Sequence, residues 1–138
     1  MKLQDQVLSL ELSKQINTLL KEKGMEVRES LFAYYGNGGV WHDSIVDMSM
    51  YKDADDSFRE HKLLPAYTCS ELGGMLPNSI QYQINDEPFE LWFDTRKNNS
   101  GNWMVSYDDD ESEAVVFHED TEVEARGRML VYLLSNNL

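Results

Sequence analysis

The stretch from Thr121 to Asn137 constrains the fold more than any other part of the chain. Thr121 is followed three residues later by Glu124, the signature of a capping box. Ala125, Met129 and Leu133 then recur at helical spacing, with Leu130 and Leu134 beside them and Tyr132 flanking. The stripe is wide enough to be the inner face of a packed helix. Such a helix needs a partner surface, and the residues just upstream alternate as a half-covered sheet would.

Ile80, Tyr82 and Ile84 alternate with Gln81 and Gln83; Phe89, Leu91 and Phe93 alternate with Glu90, Trp92 and Asp94. Trp103, Val105 and Tyr107 follow the turn Asn98-Asn99-Ser100-Gly101, and a shorter run, Ala114 to Phe117, follows an acidic tip. Period-two alternation with polar residues on one side implies a sheet covered on one face. Short turns imply antiparallel neighbours.

Toward the start, Ser9 suits the N-cap of a helix running to about Lys23, with Leu12, Ile16, Leu19 and Leu20 as its apolar face. Gly24 stands where a left-handed residue would close it. Leu31 to Tyr35, then Gly36-Asn37-Gly38-Gly39, then Val40-Trp41 reads as a hairpin, its second strand extending through Ile45, Val46 and Met48. Tyr51 to Lys62 is polar and reads as a loop with a short helical turn around Phe58. Thr68 and Glu71 form a capping box for a short helix, Cys69 to Leu76, stopped by Pro77. The expectation is a single α+β domain over residues 1–138: one antiparallel sheet of about five to six strands, packed on one face by the N-terminal and C-terminal helices.

Composition narrows the function classes. At 138 residues and 41% hydrophobic, the chain can bury one sizeable core and is not expected to be disordered. No run approaches a membrane span, and MKLQDQVLSLEL lacks the uninterrupted apolar stretch of a secretory signal. With one cysteine, no intrachain disulfide can form. These features suggest a cytoplasmic protein.

Net charge is −13, and it is unevenly placed. Residues up to Ser30 carry five basic and five acidic side chains, whereas Asn98 to Ala125 has nine acids and no Lys or Arg. Such a surface repels phosphate backbones, so direct nucleic-acid binding is not expected. It keeps a protein soluble and would attract a basic partner.

Motifs that carry chemistry are scarce. His42, His61 and His118 are far apart, and no CxxC, HExxH or His pair at i, i+4 occurs, so no metal site is assigned. The run Asp108-Asp109-Asp110-Glu111-Ser112-Glu113 puts Glu113 where a calcium-binding EF-hand loop needs glycine. Cys69 lies near a helix N-terminus, which would lower its thiol pKa, but no base is placed beside it. No GxSxG, GxGxxG or P-loop is present, and no cofactor is expected. Most aromatics read as core. Trp92 is the exception, because it alternates with Phe89, Leu91 and Phe93 onto the opposite face. Trp92, Asp108, Asp109, Asp110, Glu111 and Glu113 are therefore the candidate interaction surface, with no catalytic residue assigned.

Three stretches carry a family resemblance. They are Val7-Leu8-Ser9-Leu10-Glu11-Leu12-Ser13-Lys14 with Glu29-Ser30-Leu31-Phe32; Pro65-Ala66-Tyr67-Thr68 with Glu71-Leu72 and Met75-Leu76-Pro77; and Ala125-Arg126 with Met129 to Leu134 and Asn136. Together they resemble a group of small uncharacterised proteins encoded by bacterial phages and prophages. Gly127 departs from the better helix former expected there, implying a weakened turn or a close approach. The resemblance implies a mobile-element origin and a cytoplasmic setting, and no activity.

The reading that follows is a non-enzymatic phage or prophage accessory protein that binds another protein, in its narrower form a DNA mimic occupying a basic protein. The alternative is a small carboxylate-dependent hydrolase, which requires a concave pocket of converging acids with shifted pKa values. Self-association through a strand edge or Trp92 is a third reading.

Overall fold

In the computed structural model, which describes residues 2–37, 40–50, 62–109 and 113–138, Ser9 opens the first helix as its sequence implies. The Ser9 hydroxyl accepts the Leu12 N–H, and helix α1 runs Leu10–Glu22. It closes on Gly24, whose φ of 65° lets Met25 N–H reach the Leu20 carbonyl and Gly24 N–H the Lys21 carbonyl. That pair of bonds is a Schellman closure, and it satisfies carbonyls the helix end would otherwise leave unpaired.

The hairpin follows as β1 (Phe32–Asn37) and β2 (Val40–Asp47), with Met48 beginning a single 3-10 turn instead of ending the strand. A third strand, β3 (Lys62–Pro65), lies on the other side of β1. The loop reading from Tyr51 to Lys62 overran its first residue, and residues 51–61, with the helical turn expected around Phe58, lie outside the described residues. Pro65 has no N–H to offer a neighbour, which suits an edge strand. Helix α2 (Cys69–Met75) has the complete Thr68–Glu71 capping box. A meander of β4 (Ser79–Ile84), β5 (Glu87–Lys97), β6 (Trp103–Asp108) and β7 (Glu113–Glu119) leads into helix α3 (Glu122–Ser135). Asn85 and Asp86, with φ of 54° and 65°, make the tight β4–β5 turn.

The α+β class stands, but a single sheet of five to six strands does not. Among the described residues there are two antiparallel sheets, ordered β2-β1-β3 and β4-β5-β6-β7. Helix α2 stands between them in sequence, and its capping glutamate ties down the chain entering β1. Glu71 accepts the Thr68 N–H at 2.8 Å, the Ser30 hydroxyl at 2.7 Å and the Leu31 N–H at 3.1 Å.

The larger core lies between the four-stranded sheet and all three helices. Ile80, Leu91, Val105, Tyr107 and Val115 project from the sheet, and Leu12, Ile16, Leu72, Met129, Leu130 and Leu133 from the helices. Phe93 meets Tyr107 edge to face at 5.5 Å. Fully burying side chains of this size contributes about 1.5–3 kcal/mol each. The smaller core, Val7, Tyr34, Leu64 and Ala66, fills the inner face of the three-stranded sheet.

Helices α1 and α3 run parallel. Their N-termini meet where Glu124 reaches Ser9, and their C-termini where Lys23 donates to Asn137. Gly127 is explained here, since a Cβ at that position would stand 2.2 Å from Leu8 Cδ1. The glycine is a socket for Leu8, which is fully buried.

Candidate functional site

Strand β5 sorts its side chains between the core and the outside. Leu91 is fully buried while Trp92, the next residue, is 55% exposed. Each residue of a strand faces opposite to its neighbour, so Glu90, Trp92, Asp94 and Arg96 share the outer face. No described element covers that face, and Gln81, Gln83, Glu90, Trp92, Arg96 and His118 are all exposed on it.

Across the ladders Trp92 is directly opposite Ser79 on β4 and Asp108 on β6, and Asp108 is opposite Glu113 on β7. The indole therefore stands among three carboxylates: Glu90 and Asp94 along its own strand and Asp108 beside it. Two of them are oriented by serines. Ser79 donates to Glu90 at 3.1 Å, and the buried Ser106 hydroxyl donates to Asp108 at 2.9 Å. Arg96 lies 4.0 Å from Asp94 at the far end of the row. Ser106, opposite Asp94 and Val116 on the same face, is buried.

Of the sequence-derived surface, Trp92 and Asp108 are thus cross-strand neighbours. Asp109 follows directly, half-buried. Asp110 and Glu111 lie outside the described residues, and Glu113 is placed by its backbone register alone. Glu90 and Asp94 were missed as members of this surface, although their alternation with Leu91 and Phe93 signals their side of the strand.

The catalytic alternatives have less behind them. Cys69 lies near the start of α2, yet burial pushes its thiol up to about 11; Arg126 opposes that shift, and Glu122 reinforces it by charge and hydrogen bond. The expectation of a lowered thiol pKa is overturned because desolvation outweighs one short helix end. A cleft of about 520 Å³ beside Cys69 is lined by Lys97, Trp103, Asp120 and Glu122, and by no histidine. A second of about 790 Å³, between the start of α1 and β2, is lined by Glu11, Lys14, Tyr34 and Asp43.

The carboxyls of Asp47 and Glu122 both have titrations displaced downward. Asp47 is held down by the Ser49 hydroxyl and N–H. Burial works against Glu122, but hydrogen bonds from Arg126, Cys69 and Thr95 together with the Arg126 charge win. A general acid working near neutrality needs the opposite shift. Among the described residues no three His, Cys, Asp or Glu side chains converge in a way that could hold a metal ion, and no helix is long and apolar enough to cross a membrane. His42 is stacked on Tyr35, with centroids 4.5 Å apart.

Comparison of the chain with protein-family models, curated proteins and solved structures gives no match.

Proposed function

We propose that this protein is a non-enzymatic accessory protein of phage or prophage type that docks a basic protein on the outer face of its four-stranded sheet. Trp92 is the anchor. Glu90, Asp94 and Asp108 supply the charge around it, and the sequence continues acidic after Asp108. The observation that carries this reading is an indole left 55% exposed at the middle of an uncovered sheet face, in direct register with Asp108. An exposed tryptophan ringed by polar groups is the composition of an interface centre, where aromatic anchors provide most of the binding energy. The net charge of −13 selects the sign of the partner. In its narrower form, the carboxylates take the place of DNA phosphates on a nuclease or regulator.

The test is affinity capture from host lysate at low salt, with captured proteins identified by mass spectrometry and rebound in purified form. A basic partner is expected, released as salt rises and lost with Trp92→Ser or Asp108→Lys. A partner retained equally by both variants, or no partner at low salt, overturns the reading. Sedimentation of the free protein as a concentration-dependent dimer that Trp92→Ser abolishes would assign the same face to self-association instead.

A further inference from the structure

The two sheets are unequally secured. The three-stranded sheet has a small core of its own, Val7, Tyr34, Leu64 and Ala66, padded by the half-buried Leu10, Phe32, Trp41 and Ile45. On its other face Ala33 is buried, but Leu31, Val40 and Leu63 are 64%, 62% and 41% exposed. It shares no ladder with the four-stranded sheet. What ties it to the rest is that small cluster, to which Val7 and Leu10 contribute from outside the three strands, and a handful of polar contacts. The Tyr34 hydroxyl donates to the Leu8 carbonyl at 2.9 Å, and Glu71 receives Ser30 and Leu31. The bonds that hold the body together at the same junction, Leu8 N–H to the Tyr67 carbonyl and the Tyr67 hydroxyl to the Arg28 carbonyl, use no atom of β1, β2 or β3.

We infer that β1, β2 and β3 form a separate opening unit: the three-stranded sheet detaches and reforms while the helices and the four-stranded sheet stay folded. Proteins open in cooperative units whose stability follows the apolar contact each unit makes. Here the strands contribute Ala33, Tyr34 and Leu64 as buried side chains, packed with Val7 and Ala66 and held by the Tyr34 hydroxyl, whereas the helices and the four-stranded sheet hold the larger core. Opening would bare Tyr34, Leu64 and Ala66 and leave the Trp92 face untouched. The inference is therefore independent of the function proposed above. It provides the fold with a second, partly unfolded state without loss of the first surface.

Native-state amide hydrogen exchange on the full chain tests this, under conditions where exchange reports opening equilibria. Protection in Phe32–Asp47 and Lys62–Pro65 is expected to be at least ~100-fold below that in β5, β6 and α3. Ile80→Val thins only the larger core, so it should lower protection there roughly fivefold and leave the three-stranded sheet unchanged. Tyr34→Phe raises the energy of the closed state relative to every open one, so it should lower protection in both regions by the same factor. Leu91→Ala, a larger version of Ile80→Val, serves if that effect is too small to read. Equal protection in the two regions, or an equal fall in both with Ile80→Val or Leu91→Ala, overturns the inference.

Discussion

The Glu124 carboxylate, in the first turn of the last helix, takes the backbone N–H of Ser9 at 2.7 Å and its hydroxyl at 3.1 Å, closing a contact between residues 115 apart in sequence. Ser9 is itself the N-cap of α1. One negative charge therefore sits at the N-termini of two parallel helices, favourable to both dipoles. Glu124→Ala is expected to cost about 1–2 kcal/mol and Ser9→Ala about 1 kcal/mol. The double variant should cost clearly less than their sum, because each single change already breaks the shared contact. Urea unfolding of the four proteins measures the cycle.

Gly127 should behave against its helix propensity. Alanine there would gain about 1 kcal/mol in an open helix, but its methyl meets the buried Leu8, and overpacking costs about 1–3 kcal/mol. Gly127→Ala is expected to destabilise the native chain by about 1 kcal/mol. In a Leu8→Ala background the sign should reverse, because the socket is then empty. Thermal or denaturant unfolding of the single and double variants reads the reversal directly.

Ser13 is a polar residue the fold has not provided for. Its hydroxyl is buried in α1 and has no hydrogen-bond partner among the described residues. Ser13→Ala removes an unpaired hydroxyl and installs a better helix former, so the midpoint of urea unfolding should rise by an amount equivalent to about 1 kcal/mol. A loss of stability would mean that the hydroxyl has a partner after all.

Neighbouring residues of β5 should differ sharply. Leu91→Ala empties a fully buried site and is expected to cost about 2–5 kcal/mol. Trp92→Ser changes the open face and should stay within about 0.5 kcal/mol of the parent. Equilibrium unfolding compares the two, and near-parental stability is what qualifies Trp92→Ser as a binding variant.

The buried phenols set an alkaline limit. Burial pushes Tyr34 up to about 12, with the Asp43 and then the Glu124 charges adding to it, and pushes Tyr67 to about 12, with Glu71 adding and Arg28 opposing. Burial raises Tyr107 as well. Each donates to a backbone carbonyl, of Leu8, Arg28 and Pro77 respectively. The unfolded chain gives up these protons first, near pH 10, so alkali favours unfolding. The stability these groups contribute is intact below pH 10 and falls away as the pH climbs toward about 12. In an alkaline titration, part of the phenolate absorbance should appear only together with loss of the native circular dichroism.

Local signals in the sequence read well because they have local causes. Ser9, Gly24, Thr68 with Glu71, and Pro77 each satisfy or terminate a helix end within a few residues, and each does so in the structure. The sidedness of Trp92 follows from the pleat alone. What failed was non-local. Lys62–Pro65 is short and ends in proline, so it carries no strand signal of its own, and nothing in an alternating run says which ladder it joins. Glu124 shows the same limit in one residue. Its spacing from Thr121 is that of a capping box, and Thr121 does accept the Glu124 N–H, but its own carboxylate turns to Ser9 instead. The exposure of Trp92 was legible, while the carboxylates beside it on β5 were overlooked in favour of the more conspicuous acidic run.

The Ser9–Glu124 contact also bears on how the chain is made. During synthesis the first helix leaves the ribosome more than a hundred residues before the glutamate that completes its start. Until that glutamate and its helix have been made, the first helix lacks both its second cap and its parallel neighbour. The start of α1 is therefore completed only when residues 115 positions downstream have emerged.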